Sequence, residues 1–141
     1  MVKIRREVYE AIKEAFLSRV PECGGVLGAL PGEPISQFYF DMRGKGTPDS
    51  YTPDYEGINA LLENEWAKDG VYMVGMIHSH GNAGDFPSCG DLYYCEQIMK
   101  SAGIGIFLLP IVTLQPFEIH MYAVLYREDR IYVKKEEINI I

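Results

Sequence analysis

Residues 71–91 constrain this chain more than any other stretch. An apolar, β-branched run, Val71-Tyr72-Met73-Val74-Gly75-Met76-Ile77, leads directly into His78-Ser79-His80, and Ser88 and Asp91 follow across a segment holding Gly81, Gly84 and Pro87. Such a run reads as a buried strand. Residues two apart in a strand project from the same face, so both imidazoles leave its C-terminal end toward one point. The glycines and proline predict a loop that turns the chain back. Ser88-Cys89-Gly90-Asp91 has the spacing of a helix-capping box, with aspartate in the place of the preferred glutamate. A helix opening there returns the Asp91 carboxylate to the histidines. Two imidazoles and one carboxylate are the protein ligands of a catalytic zinc site, whose fourth position stays open. They also compose the facial triad of mononuclear iron oxygenases. Those sites usually sit in all-β barrels, whereas this chain alternates helices and strands.

The alternation is read along the whole sequence. Ile4, Val8, Ile12 and Phe16 recur every four residues, which predicts an amphipathic first helix ending near Val20-Pro21. Residues 22–30 and 35–42 predict two strands joined by a turn at Pro31-Gly32-Glu33-Pro34. Residues 43–53 are polar and turn-rich and read as a loop, whose part from Arg43 to Tyr51 is expected to flank a cleft and receive an extended substrate tail. Asp54 is expected to cap a helix over 55–68 that buries Ile58, Leu61, Leu62 and Trp66 and stops at Gly70. The helix opened by Ser88 runs to about residue 101. Residues 104–112 form a continuous apolar run expected as a central strand, and 117–126 and 130–140 predict two more, joined at Glu128-Asp129. The expected class is α/β: one domain over 1–141, a mixed sheet flanked by helices.

Composition narrows the function classes. The 141 residues are 48% hydrophobic and 23% charged, with a net charge of −7. An acidic chain without a Lys/Arg block has no electrostatic reason to bind nucleic acid or an anionic membrane. No apolar stretch is long enough to span a bilayer, and the charged N-terminal segment does not read as a signal peptide. Cys23, Cys89 and Cys95 are an odd count without Cys-x-x-Cys pairing, expected as reduced thiols in a cytoplasmic protein. The same lack of Cys-x-x-Cys and of His-x-Glu disfavours a cytidine-deaminase zinc site. Cys89 is read as a free thiol near the site, Cys95 as packing, His120 as structural or exposed and Asp85 as solvated.

His78-Ser79-His80, seven residues, Ser88, two residues and Asp91 resemble the JAMM (MPN+) metalloprotease motif at every defining position. Glu22-Cys23-Gly24-Gly25-Val26-Leu27-Gly28 resembles that family's earlier glutamate-bearing strand. The resemblance runs from the first helix through the strands after the motif. Gly81 stands where many members have proline. The chain has little room for the insertions with which eukaryotic deubiquitinases grip ubiquitin chains, so it looks like a compact prokaryotic member. The resemblance implies a JAB/MPN sheet of cytidine-deaminase-like architecture and Zn²⁺ held by His78, His80 and Asp91. It further implies Glu22 as general acid and base, and Ser88 as donor to the oxyanion. The implied reaction is hydrolysis of a peptide or isopeptide bond after the C-terminal Gly-Gly of a ubiquitin-like or sulfur-carrier protein, whose tail would add a strand to an exposed sheet edge. A non-catalytic or partner-dependent scaffold of the same fold is the alternative; its mark is a broken ligand set, and here the set is whole. The oligomeric state is not set by the sequence.

Overall fold

The computed structural model describes residues 1–48, 50–81 and 84–141. Asp49, in the segment expected as a loop, and Asn82 and Ala83, between the histidines and Ser88, lie outside the described residues.

Helix α1 (Arg6–Leu17) buries Val8, Ile12 and Phe16 on one side, as its four-residue spacing requires. Phe16 packs edge-on against Phe40, 5.6 Å between ring centres. Ile4, expected in this helix, instead ends strand β1 (Val2–Ile4), which pairs parallel with β11 (Ile138–Ile140). Its side chain reaches the same core as Phe16. Periodicity thus registered its burial, while its strand partner, at the other end of the sequence, leaves no local signal. The helix also stops at Leu17, short of Val20-Pro21.

Strand β2 (Gly24–Ala29) is buried throughout and lies between β3 (Gln37–Phe40) and β6 (Tyr72–Ser79), antiparallel to both. Residues 43–53, expected as a loop, contain a short antiparallel hairpin, β4 (Lys45–Thr47) with β5 (Ser50–Thr52). Three polar residues a side are too few to show alternation in sequence. Helix α2 (Tyr55–Leu61) continues through a wider π turn (Leu62–Trp66) and a 3₁₀ turn (Ala67–Asp69) and ends at Gly70, whose φ of 72° is left-handed. Asp54 precedes it without a side-chain capping bond. Its backbone N–H is instead held by the buried Asp41 carboxylate at 2.9 Å.

After β6 come α3 (Cys89–Ala102), β7 (Ile106–Leu108), β8 (Ile111–Leu114), β9 (Phe117–Arg127) and β10 (Arg130–Glu136). The run expected as one central strand is two segments, interrupted at Leu109-Pro110, where proline offers no N–H to a ladder. Both segments run parallel to β6 and antiparallel to β9. The expected turn between β9 and β10 forms with Glu128 and Asp129 at φ of 51° and 61°, the left-handed pair of a tight hairpin. The last predicted strand divides: β10 stays in the main sheet and β11 crosses to β1.

Among the described residues the main sheet has the order β10-β9-β7-β6-β2-β3, with β8 continuing β7 against β6 and β9. The expected mixed sheet flanked by helices is what forms. In the β2–β6 ladder Leu27 faces Gly75 but Gly28 faces Met73, so Val74 is an extra residue, a β-bulge. The bulge reverses the alternation. Val74 and Ile77 therefore join the α1 core, while Met73 and Met76 pack on the opposite side with residues of α2 and α3. His78, in phase with Met76, opens on that second side.

Candidate metal centre

The end of β6 is an interior position of the sheet, so backbone bonds from both neighbours fix it. His78 N–H donates to the Pro110 carbonyl at 3.4 Å, and His80 N–H to Val112 at 3.0 Å. Ser79, between them, must point to the other side of the strand. There its hydroxyl oxygen accepts the Cys23 N–H at 3.1 Å, while Ser79 N–H donates to the Cys23 carbonyl at 2.9 Å. Ser79 thus latches the histidine strand to the segment carrying Glu22. Strand alternation alone could have flagged it.

The two imidazoles and Asp91 converge. The Nε2 atoms of His78 and His80 are 2.9 Å apart, and Asp91 Oδ2 lies 3.2 Å from each. Glu22, His78 and His80 also offer ligand atoms that all lie within 4.8 Å of one another. His80 Nδ1 is 3.0 Å from the Gly84 carbonyl. A carbonyl only accepts, so Nδ1 carries the hydrogen and the Nε2 lone pair of neutral His80 faces the cluster. Nitrogen lone pairs beside a carboxylate at these distances suit a cation, and the outer bond to Gly84 is the kind that orients a ligating histidine.

Charge follows the geometry. Burial alone would raise the Asp91 carboxyl, but the two imidazoles beside it and the Ser88 N–H hold it well below the usual carboxylate range. Burial opposes protonation of His80, yet Asp91 and the Gly84 carbonyl raise its pKa overall. Glu22 is buried, at 6% exposure. Burial raises its carboxyl, the two imidazoles pull it back, and the Gly81 N–H bonds to it.

The β4–β5 hairpin holds Glu22 in place. Glu22 N–H donates to the Thr47 carbonyl at 2.9 Å, and a side chain at Gly46 would collide with the Glu22 carbonyl. From β5, Tyr51 stacks on His78, with 6.4 Å between ring centres and 17° between planes. The Tyr51 hydroxyl donates to Asp41 at 2.5 Å, and the Asp41 carboxylate also accepts the N–H of Gly44. Burial, then the Asp41 bond, pushes the Tyr51 phenol far above its usual range. The segment does flank the cleft, as expected. Nothing in the local sequence around Asp41 and Tyr51 marks a buried carboxylate and its phenol.

Ser88 opens α3 with a reciprocal capping box: its hydroxyl oxygen accepts the Asp91 N–H at 3.1 Å, and its own N–H donates to Asp91 Oδ2 at 2.8 Å. Asp91 is thus capping residue and cluster carboxylate at once. Glu22, Ser88, His78, His80 and Asp91, the predicted set, line one cavity of about 260 Å³. Cys89 is an exposed free thiol, and Cys95 is buried, its thiol pushed up to about 12 by burial and by Asp91. His120 is tied to Thr113 at 2.9 Å, with Asp85 3.8 Å away. Among the described residues no helix is long and apolar enough to cross a membrane.

The fold is similar to the solution structure of protein DSY2949 from Desulfitobacterium hafniense, with a TM-score of 0.73 and 21% identity over 100% of this chain and 93% of that one. A comparison with curated proteins gives no match. The model of the prokaryotic homologs of the JAB domain matches residues 5–125, most of the chain and every residue of the cluster. With the mixed sheet, the paired histidines and the carboxylates beside them in place, the chain belongs to the prokaryotic homologs of the JAB domain.

Proposed function

We propose that this chain is a zinc-dependent hydrolase of peptide or isopeptide bonds that cuts after the C-terminal Gly-Gly of a ubiquitin-like or sulfur-carrier protein. The supporting observation is the convergence of His78, His80 and Asp91 at 2.9–3.2 Å, with Glu22 beside them in one cavity. His78, His80 and Asp91 hold the metal. Zinc, when bound, lowers the pKa of a water to about 7 and polarises a carbonyl.

The chain's own groups do the rest. Glu22 accepts a proton from the attacking water and delivers it to the departing amine, a role worth about 10²–10⁴-fold in rate. Its burial suits proton transfer, since a desolvated carboxylate is a stronger base. The Ser88 oxygen already accepts the Asp91 N–H, which leaves its hydroxyl hydrogen for the developing oxyanion. Tyr51 and the Gly84 carbonyl keep the two rings from turning.

Ser88→Gly separates capping from catalysis. Glycine is a tolerable cap, so stability should fall by only a few tenths of a kcal/mol. Loss of the oxyanion donor should lower kcat by about 10²–10³-fold. Thermal melts and turnover at equal zinc content read the two effects apart. Unchanged kcat would remove Ser88 from the mechanism.

The reading as a whole is tested with a ubiquitin-like fusion ending in Gly-Gly before the reporter. Cleavage should vanish on chelation and return with zinc but not with ferrous iron. Cleavage that survives chelation would overturn it.

A further inference from the structure

The cavity is larger than the polar cluster at its mouth. It runs from His78 and Asp91 beneath the first turns of α3, where Met76, Cys95, Ile98, Phe107 and Leu109 line it. Tyr55 and Tyr94, both exposed, stand at the rim. Its volume of about 260 Å³ far exceeds the ~30 Å³ share of a water molecule. The charged residues of its lining, Glu22 and Asp91, belong to the polar cluster; Met76, Cys95, Ile98, Phe107 and Leu109 form an apolar wall beside it, where water finds few partners. Beyond the rim, Tyr55, Met76, Tyr94 and Ile98 also line a groove between α2 and α3.

We propose that this chamber receives a bulky apolar side chain, of leucine, methionine or phenylalanine size, from the residue on the amine side of the scissile bond. The inference rests on the hydrolase reading above and names its leaving group. A carbonyl side ending in Gly-Gly has no side chain to fill the chamber, so the occupant comes from the amine side. Against that apolar wall an acidic or basic side chain would meet no counter-ion and would lose hydration. The groove between α2 and α3 gives the rest of the leaving chain a path outward. Ile98, on α3, lines both the chamber and the groove and acts as a specificity residue.

The test uses Gly-Gly-X fusions with X as Leu, Met, Phe, Gly, Asp or Lys, and a matching conjugate linked through a lysine Nε. Leu, Met and Phe should be cleaved about 10–100-fold more efficiently in kcat/KM than Gly, Asp or Lys. Ile98→Ala, which enlarges the chamber, should shift the preference toward Phe; Ile98→Trp, which fills it, should erase the preference. A flat profile, or preference for Asp, Lys or the Nε linkage, would overturn the proposal while leaving the hydrolase standing. Binding is read separately from turnover by methyl NMR with leucine amide and glycinamide as probes. Leucine amide alone should move the Met76 and Ile98 methyl signals, and should fail to do so in Ile98→Trp. Equal shifts from both probes, or none, would overturn the proposal. Selective shifts in a protein that cleaves no fusion would uphold the apolar chamber and end the hydrolase reading.

Discussion

Glutamine at position 22 is expected to lower kcat on a Gly-Gly fusion by about 10²–10⁴-fold while bound zinc stays at the parent's level. The substitution preserves shape and leaves an oxygen for the Gly81 N–H, but it removes the basic carboxylate. The contacts from Thr47, Gly46 and Ser79 that place this segment reach the backbone of Glu22 and Cys23, so the position of the side chain should survive. Kinetics and metal analysis on one preparation decide the role. Full activity would exclude Glu22 as general acid and base. Loss of zinc would make it a ligand, which its closeness to both imidazoles permits.

Alanine at position 80 is expected to remove both the metal and turnover. His80 meets His78 and Asp91 through Nε2 and holds Gly84 through Nδ1. Its loss takes a donor from the set and the anchor from the segment leading to Ser88. The fall in zinc affinity should exceed the about 10–100-fold typical when only an outer hydrogen-bond partner is lost. The zinc-free parent is the control for folding. If His80→Ala and the zinc-free parent melt together, the effect is on the metal; a His80→Ala protein that still binds zinc tightly would remove His80 from the ligand set.

What the sequence disclosed follows the range of each interaction. His78, His80, Ser88 and Asp91 were legible because a strand, a loop and a helix start, all within residues 78–91, fix their relation. Glu22 was reached only through family resemblance, since the bond from Cys23 N–H to Ser79 that brings it near is long-range. Asp41 and Tyr51 stayed hidden for the same reason: a buried aspartate pairing with a phenol ten residues on has no periodic signature. Ile4 is buried as its spacing predicts but belongs to β1 rather than to the first helix, because its partner strand is β11. The break at Pro110 was present in the sequence, but a continuous apolar run outweighed it.

The most direct measurement is zinc content and Gly-Gly fusion cleavage on the same samples of parent, His80→Ala and Glu22→Gln. Expected are one zinc per chain with cleavage for the parent, neither for His80→Ala, and zinc without cleavage for Glu22→Gln. A parent that takes up no zinc when it is supplied, or a His80→Ala protein that keeps both zinc and cleavage, would contradict the metal-hydrolase assignment.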